Sequence, residues 1–200
     1  LMIFRFLAII QIMVVTLSFR INIPKGERKM PVQVPSKWDK EVDVVVLGTG
    51  GAALTAAIAA ADGGASVLVL EKTHQIGGTT AYSGGVPWIP LNHYMQEAGF
   101  QDQREEAVQF IERLALGRAD KKMIETFVDN AHVMIKYLAE HTPTKFATPR
   151  SYPEYYARMG EALKQGTRSL DPLPYDLNEI GEWAPLVRQN PLFPPLTLEE

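Results

Sequence analysis

The chain contains no cysteine, which excludes disulfides, thiolate metal sites and cysteine nucleophiles. Its four histidines, His74, His93, His132 and His141, share no metal-ligand spacing. No Gly-x-Ser-x-Gly elbow occurs, and no Ser/His/Asp set can be nominated. The formal net charge is only −3, with lysine and arginine scattered along the chain, so there is no electrostatic footprint for nucleic acid. Internal repeats and low-complexity runs are missing too. No uncharged apolar run reaches the roughly 20 residues of a bilayer span; residues 6–19 come nearest. A chain that is 46% hydrophobic and 22% charged is ordinary for a globular domain, and 200 residues suffice for one.

What the chain does have is two glycine loops, each following an apolar strand. The first is Gly48-Thr49-Gly50-Gly51-Ala52-Ala53, directly after Val42-Asp43-Val44-Val45-Val46-Leu47. That run is β-branched and short, as a buried parallel strand requires. Gly48 permits the tight turn, Gly50 lets a pyrophosphate approach the backbone, and Ala53 lets helix and strand pack closely. An alanine-rich helix follows and ends at Asp62-Gly63-Gly64. Its N-terminus offers free N–H groups and partial positive charge to phosphates. A second strand, Ser66-Val67-Leu68-Val69-Leu70, closes with Glu71, placed to accept hydrogen bonds from adenosine ribose hydroxyls. Strand, loop, helix, strand and acid in this order predict a dinucleotide site; the alternative is a glycine-rich turn in an unrelated α/β protein.

The second loop, Gly77-Gly78-Thr79-Thr80-Ala81-Tyr82-Ser83-Gly84-Gly85, discriminates between cofactors. A nicotinamide enzyme has no need of it. FAD is longer, and Thr79, Thr80 and Ser83 supply hydroxyls to its pyrophosphate and ribityl chain while the glycines let backbone lie against the flavin. A ligand-free glycine hairpin is the structural alternative.

Glu71-Lys72 and the stretch from Gly77 through Gly84-Gly85-Val86-Pro87-Trp88-Ile89-Pro90 resemble the fumarate reductase/succinate dehydrogenase flavoprotein superfamily, that is, the FAD-dependent oxidoreductase 2 family. Within it the 3-ketosteroid Δ1-dehydrogenase branch is most similar, through Ser-Gly-Gly-x-x-Trp-x-Pro and through Tyr152-Pro153-Glu154-Tyr155-Tyr156 followed by Arg168-Ser169-Leu170-Asp171-Pro172. The branch usually reads Gly-Arg-Ser, whereas here Thr167 separates Gly166 from Arg168. The resemblance implies a Rossmann-like FAD-binding α/β domain, three-layered with a parallel sheet and inserted helices, and incomplete in this chain. It implies FAD contacts by Gly48, Gly50, Gly51, Ala52, Glu71, Lys72, Gly77, Gly78, Thr79, Thr80, Ser83, Gly84 and Gly85. Gly78 stands where membrane-bound relatives carry a flavin-linking histidine, so non-covalent FAD is expected. Tyr155 is the catalytic candidate, hydrogen-bonded to a tyrosine base; the bland reading makes Tyr152, Tyr155 and Tyr156 semi-buried packing residues.

Residues 1–41 read as leader and linker, and 42–200 as the N-terminal part of the FAD-binding domain, with the substrate-capping domain missing. For residues 1–29 the preferred expectation is upstream translation ahead of a start at Met30, the alternatives being a signal or anchor and a buried helix. Further along, Ala107, Phe110, Ile111 and Leu114 predict an amphipathic helix over 104–117. Ile124, Phe127, Val128, Ala131, Ile135 and Leu138 predict another over 120–140, N-capped by Asp120. The expected activity is flavin-dependent 1,2-dehydrogenation of a 3-ketosteroid, with hydride transfer to FAD and an external electron acceptor. Expected partners are a small hydrophobic substrate of steroid type and no nucleic acid; the expected location is cytoplasmic, with membrane association left open. The alternatives are a fumarate-reductase-like enoate reductase, or an FAD-binding module catalytically incomplete in itself.

Overall fold

The computed structural model describes residues 15–16, 37–150, 152–163 and 166–191. Its nucleus is a strand-helix-strand unit. Strand β2 (Val44–Leu47) leads through the first glycine loop into α1 (Gly51–Asp62), which returns the chain to β3 (Val67–Glu71). β2 and β3 pair in parallel, Val44 opposite Val67 and Leu47 opposite Leu70. Alanines make this packing close: Ala57, with Ala53, Ala60 and Ala61 beside it, lies on Val46, Val67 and Val69. Small residues on the helix let its axis approach the β-branched strand face, where both Ala57 and Val69 are wholly buried. The opposite face of β2 is uncovered, with Val45 53% and Leu47 76% exposed.

A two-residue strand, β1 (Val15–Thr16), completes the sheet in the order β1-β3-β2, pairing in parallel with Leu70 and Glu71. Within residues 1–29 these two are the only ones described, and the readings of that segment otherwise lie outside the described residues.

The inserted helices follow the second loop. The short α2 (His93–Glu97) is capped by Asn92, whose side chain accepts from Met95 N–H at 2.8 Å. The same buried amide donates to the carbonyls of Ile89 (2.8 Å) and Thr167 (3.1 Å), so all its strong bonding capacity is turned inward. Helices α3 (Arg104–Ala115) and α4 (Lys121–His141) pack through Ala107, Val108, Ile124 and Val128. Asp120 caps α4 by accepting from Lys122 N–H. An Arg104–Asp129 fork at 2.5 and 2.8 Å links the two helices on the surface. Further along the same stripe of α4, Ala131 and Ile135 lie against Ile89, Phe146 and Leu170. There an antiparallel pair, β4 (Phe146–Ala147) and β5 (Asp171–Pro172), sits beside the second-loop segment. At the C-terminal end of α4, Tyr137 Oη and His141 Nδ1 each lie 2.9 Å from Asp62, tying the inserted helices to the end of α1. Among the described residues no helix is long and apolar enough to cross a membrane.

Candidate functional site

The two glycine loops interlock. Gly48 turns the chain off β2 with φ of +93°, and its N–H donates to Leu70 O on the neighbouring strand. Gly51 opens α1, and its N–H donates to the Thr80 hydroxyl at 2.9 Å. A threonine of the second loop thus occupies one of the free donors at the helix N-terminus. Gly78, at φ +55°, lies flat on Gly50: a Cβ built there would stand 3.2 Å from Gly50 Cα. Any side chain at 78 would therefore push backbone against backbone.

Beneath this contact Thr49 bridges three elements. Its buried hydroxyl donates to Glu71 Oε2 at 2.5 Å and accepts from Gly77 N–H at 3.0 Å. The other carboxylate oxygen, Oε1, accepts from Thr73 N–H at 3.0 Å; the Thr73 hydroxyl, 3.3 Å away, gives its single proton to Gln75 O at 2.7 Å. Burial pushes the Glu71 carboxyl up, but the Thr49 and Thr73 donors outweigh it and hold the group below its ordinary value. A carboxylate has about four acceptor positions. The Thr49 hydroxyl takes one on Oε2 and Thr73 N–H takes one on Oε1, so the carboxylate keeps room for a further donor.

Of the expected cofactor residues, Gly50 and Gly51 thus meet Gly78 and Thr80 directly and Glu71 joins Gly77 through Thr49, forming one strip. Ala52 lies in the first turn of α1. Ser83 closes the short turn over Thr80–Tyr82, donating to Thr80 O and accepting from Gly85 N–H. Gly85 reaches β5, where its built Cβ would touch Pro172 Cγ at 3.4 Å. Thr79, Gly84 and Lys72 are exposed around the strip.

Tyr155 is not in that strip. It is 84% exposed, and Tyr156 56% exposed, so neither is the packing residue of the bland reading. Half-buried Tyr152 meets the Tyr155 ring edge-on at 6.1 Å. The bond to Tyr155, then burial, raise the Tyr152 phenol above its ordinary value, so Tyr152 keeps its proton at neutral pH. What positions this segment is a buried cluster that sequence reasoning missed. Arg168, wholly buried, forks onto Asp102 at 3.0 and 2.6 Å. It also lies 3.4 and 3.5 Å from the two oxygens of Glu154 and donates to Glu161 O at 3.1 Å. Its guanidinium lies 5.5 Å from the Trp88 ring centroid and 5.6 Å from that of Phe110. Glu154 accepts from Trp88 Nε1 (3.1 Å) and from Leu163 N–H (2.7 Å), so one carboxylate pins both ends of the Tyr155 turn. Burial raises the Glu154 carboxyl, opposed chiefly by Arg168.

Gly166 explains the spacing around Thr167. At φ +87° it runs against Tyr152, and a Cβ there would fall 1.4 Å from Tyr152 O. Only glycine fits, and Thr167 then completes the turn that carries Arg168 inward. The signals for this cluster were an arginine among small polar residues and an acid between tyrosines. Neither identifies a partner 66 residues away.

A parallel strand-helix-strand unit, glycines at the helix N-terminus and a carboxylate closing the second strand define a dinucleotide-binding protein. The chain matches the FAD binding domain family over residues 43–189. It belongs to that family, and FAD is its cofactor. It is 36% identical over 159 residues to a 4-oxocyclohexanecarboxylate 2-dehydrogenase of Sinomonas cyclohexanicum, covering 79% of this chain and 27% of that protein. It is 37% identical over 147 residues to a 3-oxosteroid 1-dehydrogenase of Rhodococcus opacus, covering 74% and 28%. The crystal structure of 3-ketosteroid delta1-dehydrogenase from Sterolibacterium denitrificans, in complex with 1,4-androstadiene-3,17-dione, superposes with a TM-score of 0.69 at 32% identity. That match covers 74% of this chain and 26% of the other. The chain spans about a quarter of the length of these relatives.

The site's own geometry fits the cofactor. The Thr80 hydroxyl oxygen sits on Gly51 N–H where a phosphate oxygen would bind. The Cβ-free ridge at Gly48 has no atom within 4 Å of a built Cβ, and Glu71 keeps room to accept from a ribose hydroxyl.

Proposed function

We propose that this chain carries the FAD-holding part of an oxidoreductase that removes hydrogen across a C–C bond beside a ring ketone, most specifically the 1,2-bond of a 3-ketosteroid. The observation that carries the reading is similarity at 36–37% identity to proteins whose names share a ring oxo group and a dehydrogenation. The two matches cover 74–79% of this chain, and the Tyr155 turn is clamped to the segment that continues the second loop.

In this reading Gly48, Gly50, Gly51 and Ala52 receive the pyrophosphate at the α1 N-terminus, and Glu71 receives the adenosine ribose. Thr79, Thr80, Ser83, Gly84 and Gly85 lie along the remainder of the cofactor, with Lys72 at the rim. The crowding at Gly78 supports non-covalent binding, since that position cannot carry a linking side chain without moving Gly50. When bound, FAD supplies the acceptor for the electron pair that leaves the substrate. The protein's share is orientation and proton handling. Tyr155 presents a phenol to solvent beside Tyr152, whose retained proton can be donated toward it. A phenol so placed can support removal of the acidified proton next to the ketone. Reoxidation requires an external electron acceptor.

The test is direct. The full-length protein is mixed anaerobically with a 3-ketosteroid or with 4-oxocyclohexanecarboxylate, and flavin absorbance is followed. Bleaching, with turnover on adding an artificial acceptor, is the expected result. Failure of both ketones overturns the reading, and fumarate reduction by a reduced viologen would replace it with an enoate reductase. Yellow cofactor released by denaturation alone is the expected sign of non-covalent FAD.

A further inference from the structure

We infer that Thr49 is the positioning residue that orients Glu71 for the ribose diol of the dinucleotide and couples that contact to the second glycine loop. The inference rests on FAD as the ligand of this site. Thr49 occupies the variable position of the first loop, between two glycines, and its side chain is 2% exposed. A hydroxyl has one proton and two lone pairs. Here the proton goes to Glu71 Oε2 at 2.5 Å, and one lone pair takes Gly77 N–H at 3.0 Å.

The consequence for Glu71 is geometric. Oε1 is anchored by Thr73 N–H at 3.0 Å. Oε2 takes the Thr49 proton and keeps a second lone pair, whose direction the Thr49 bond sets. The Thr73 hydroxyl gives its single proton to Gln75 O at 2.7 Å, so the Thr73 side is locked by its own turn. Removing the Thr49 hydroxyl frees Oε2 to rotate about a fixed Oε1. It also leaves a buried N–H of the second loop without an acceptor. Ribose recognition and loop closure are thereby joined through one oxygen atom.

The experiment uses the full-length apoprotein and free FAD, with dissociation constants from flavin fluorescence quenching. Wild type is compared with Thr49→Ser, Thr49→Val, Glu71→Ala and the Thr49→Val/Glu71→Ala double variant. Thr49→Ser keeps the hydroxyl and is expected to bind within about threefold of wild type. Thr49→Val keeps the volume and is expected to weaken FAD by about tenfold or more, the scale of a hydrogen bond to a charged group. In the Glu71→Ala background the same change should cost less than about threefold, because the group it orients is gone. The acid-side loss of affinity should also begin at higher pH in Thr49→Val, since one donor that holds the Glu71 carboxyl down has been removed. Should Thr49→Val not fold, Thr49→Ala takes its place in the same cycle. Unchanged affinity in the hydroxyl-free variant overturns the inference. An equal penalty with and without Glu71 also overturns it, leaving Thr49 as a support for Gly77 alone. Wild type that fails to take up FAD would instead sink the cofactor reading, and this inference with it.

Discussion

Replacing Arg168 by methionine is the sharpest test of the packing that holds the Tyr155 turn. The substitution keeps length and apolar contact, so Trp88 and Phe110, stacked 5.7 Å apart, keep a neighbour beside them. It removes the guanidinium that faces two buried carboxylates, Asp102 and Glu154, each with its side chain 1% exposed. Asp102 retains donors from Leu91 N–H and Gln103 N–H. Glu154 retains Trp88 Nε1 and Leu163 N–H. Hydrogen bonding therefore survives in part while charge compensation does not. Breaking one partner of a buried ion pair costs about 3–5 kcal/mol, against a total stability of roughly 5–15 kcal/mol. At roughly 2–4 °C per kcal/mol for a domain of this size, the melting temperature should fall by about 6–20 °C.

The pH dependence carries a definite sign. A carboxyl raised above its unfolded value binds its proton more tightly in the folded state. Stability therefore falls as pH rises from the ordinary glutamate value through the raised one. Glu154 already lies on that side in the wild type, and loss of Arg168 extends the fall to higher pH. The deficit of Arg168→Met should be larger at pH 8 than at pH 5.5, read by thermal unfolding of the full-length protein at both. Arg168→Lys keeps the charge without the fork and should fall between. A methionine variant within about 2 °C of wild type at both pH values would show that the cluster is not charge-compensated as described.

Tyr155→Phe removes an exposed hydroxyl and should leave folding and flavin content intact. Ketone turnover should fall by roughly 10²-fold or more, with parallel slowing of proton exchange beside the ketone; rates within a few-fold of wild type would make it a bystander. Glu71→Ala should weaken FAD by roughly tenfold to a hundredfold in a folded protein, and an unchanged dissociation constant would move ribose recognition elsewhere.

The flavin-site scaffold was legible because its signals are local. A β-branched run, three small residues, an alanine helix and a terminal acid occupy consecutive positions, and β2, α1 and β3 form there. The amphipathic period placed α3 and α4 to within two residues at each end. It overstated their core: Leu114 is 37% and Phe127 43% exposed. Phe127 lies at the margin, its ring stacked 6.3 Å from Trp88, because α3 and α4 bury a narrower stripe than the period suggests. Contacts that depend on distant pairing were illegible. Nothing local to Thr49 announces Gly77, nothing local to Arg168 announces Asp102, and the pairing of Val15–Thr16 with β3 has no marker in the uncharged run 6–19.

The Thr80 hydroxyl on Gly51 N–H has a kinetic consequence. The bond joins the two loops like a latch at the N-terminus of α1, on a donor that the proposed pyrophosphate contact would use. In that reading uptake of FAD breaks the bond, so capture follows a parting of the loops. At low FAD the uptake rate will rise with concentration, and at high FAD it will level off at the rate of unlatching. Thr80→Ala removes the latch together with a contact to the ligand, so uptake should lose its plateau while release becomes faster. The resting site would then be tuned for retention of its cofactor rather than for speed of loading.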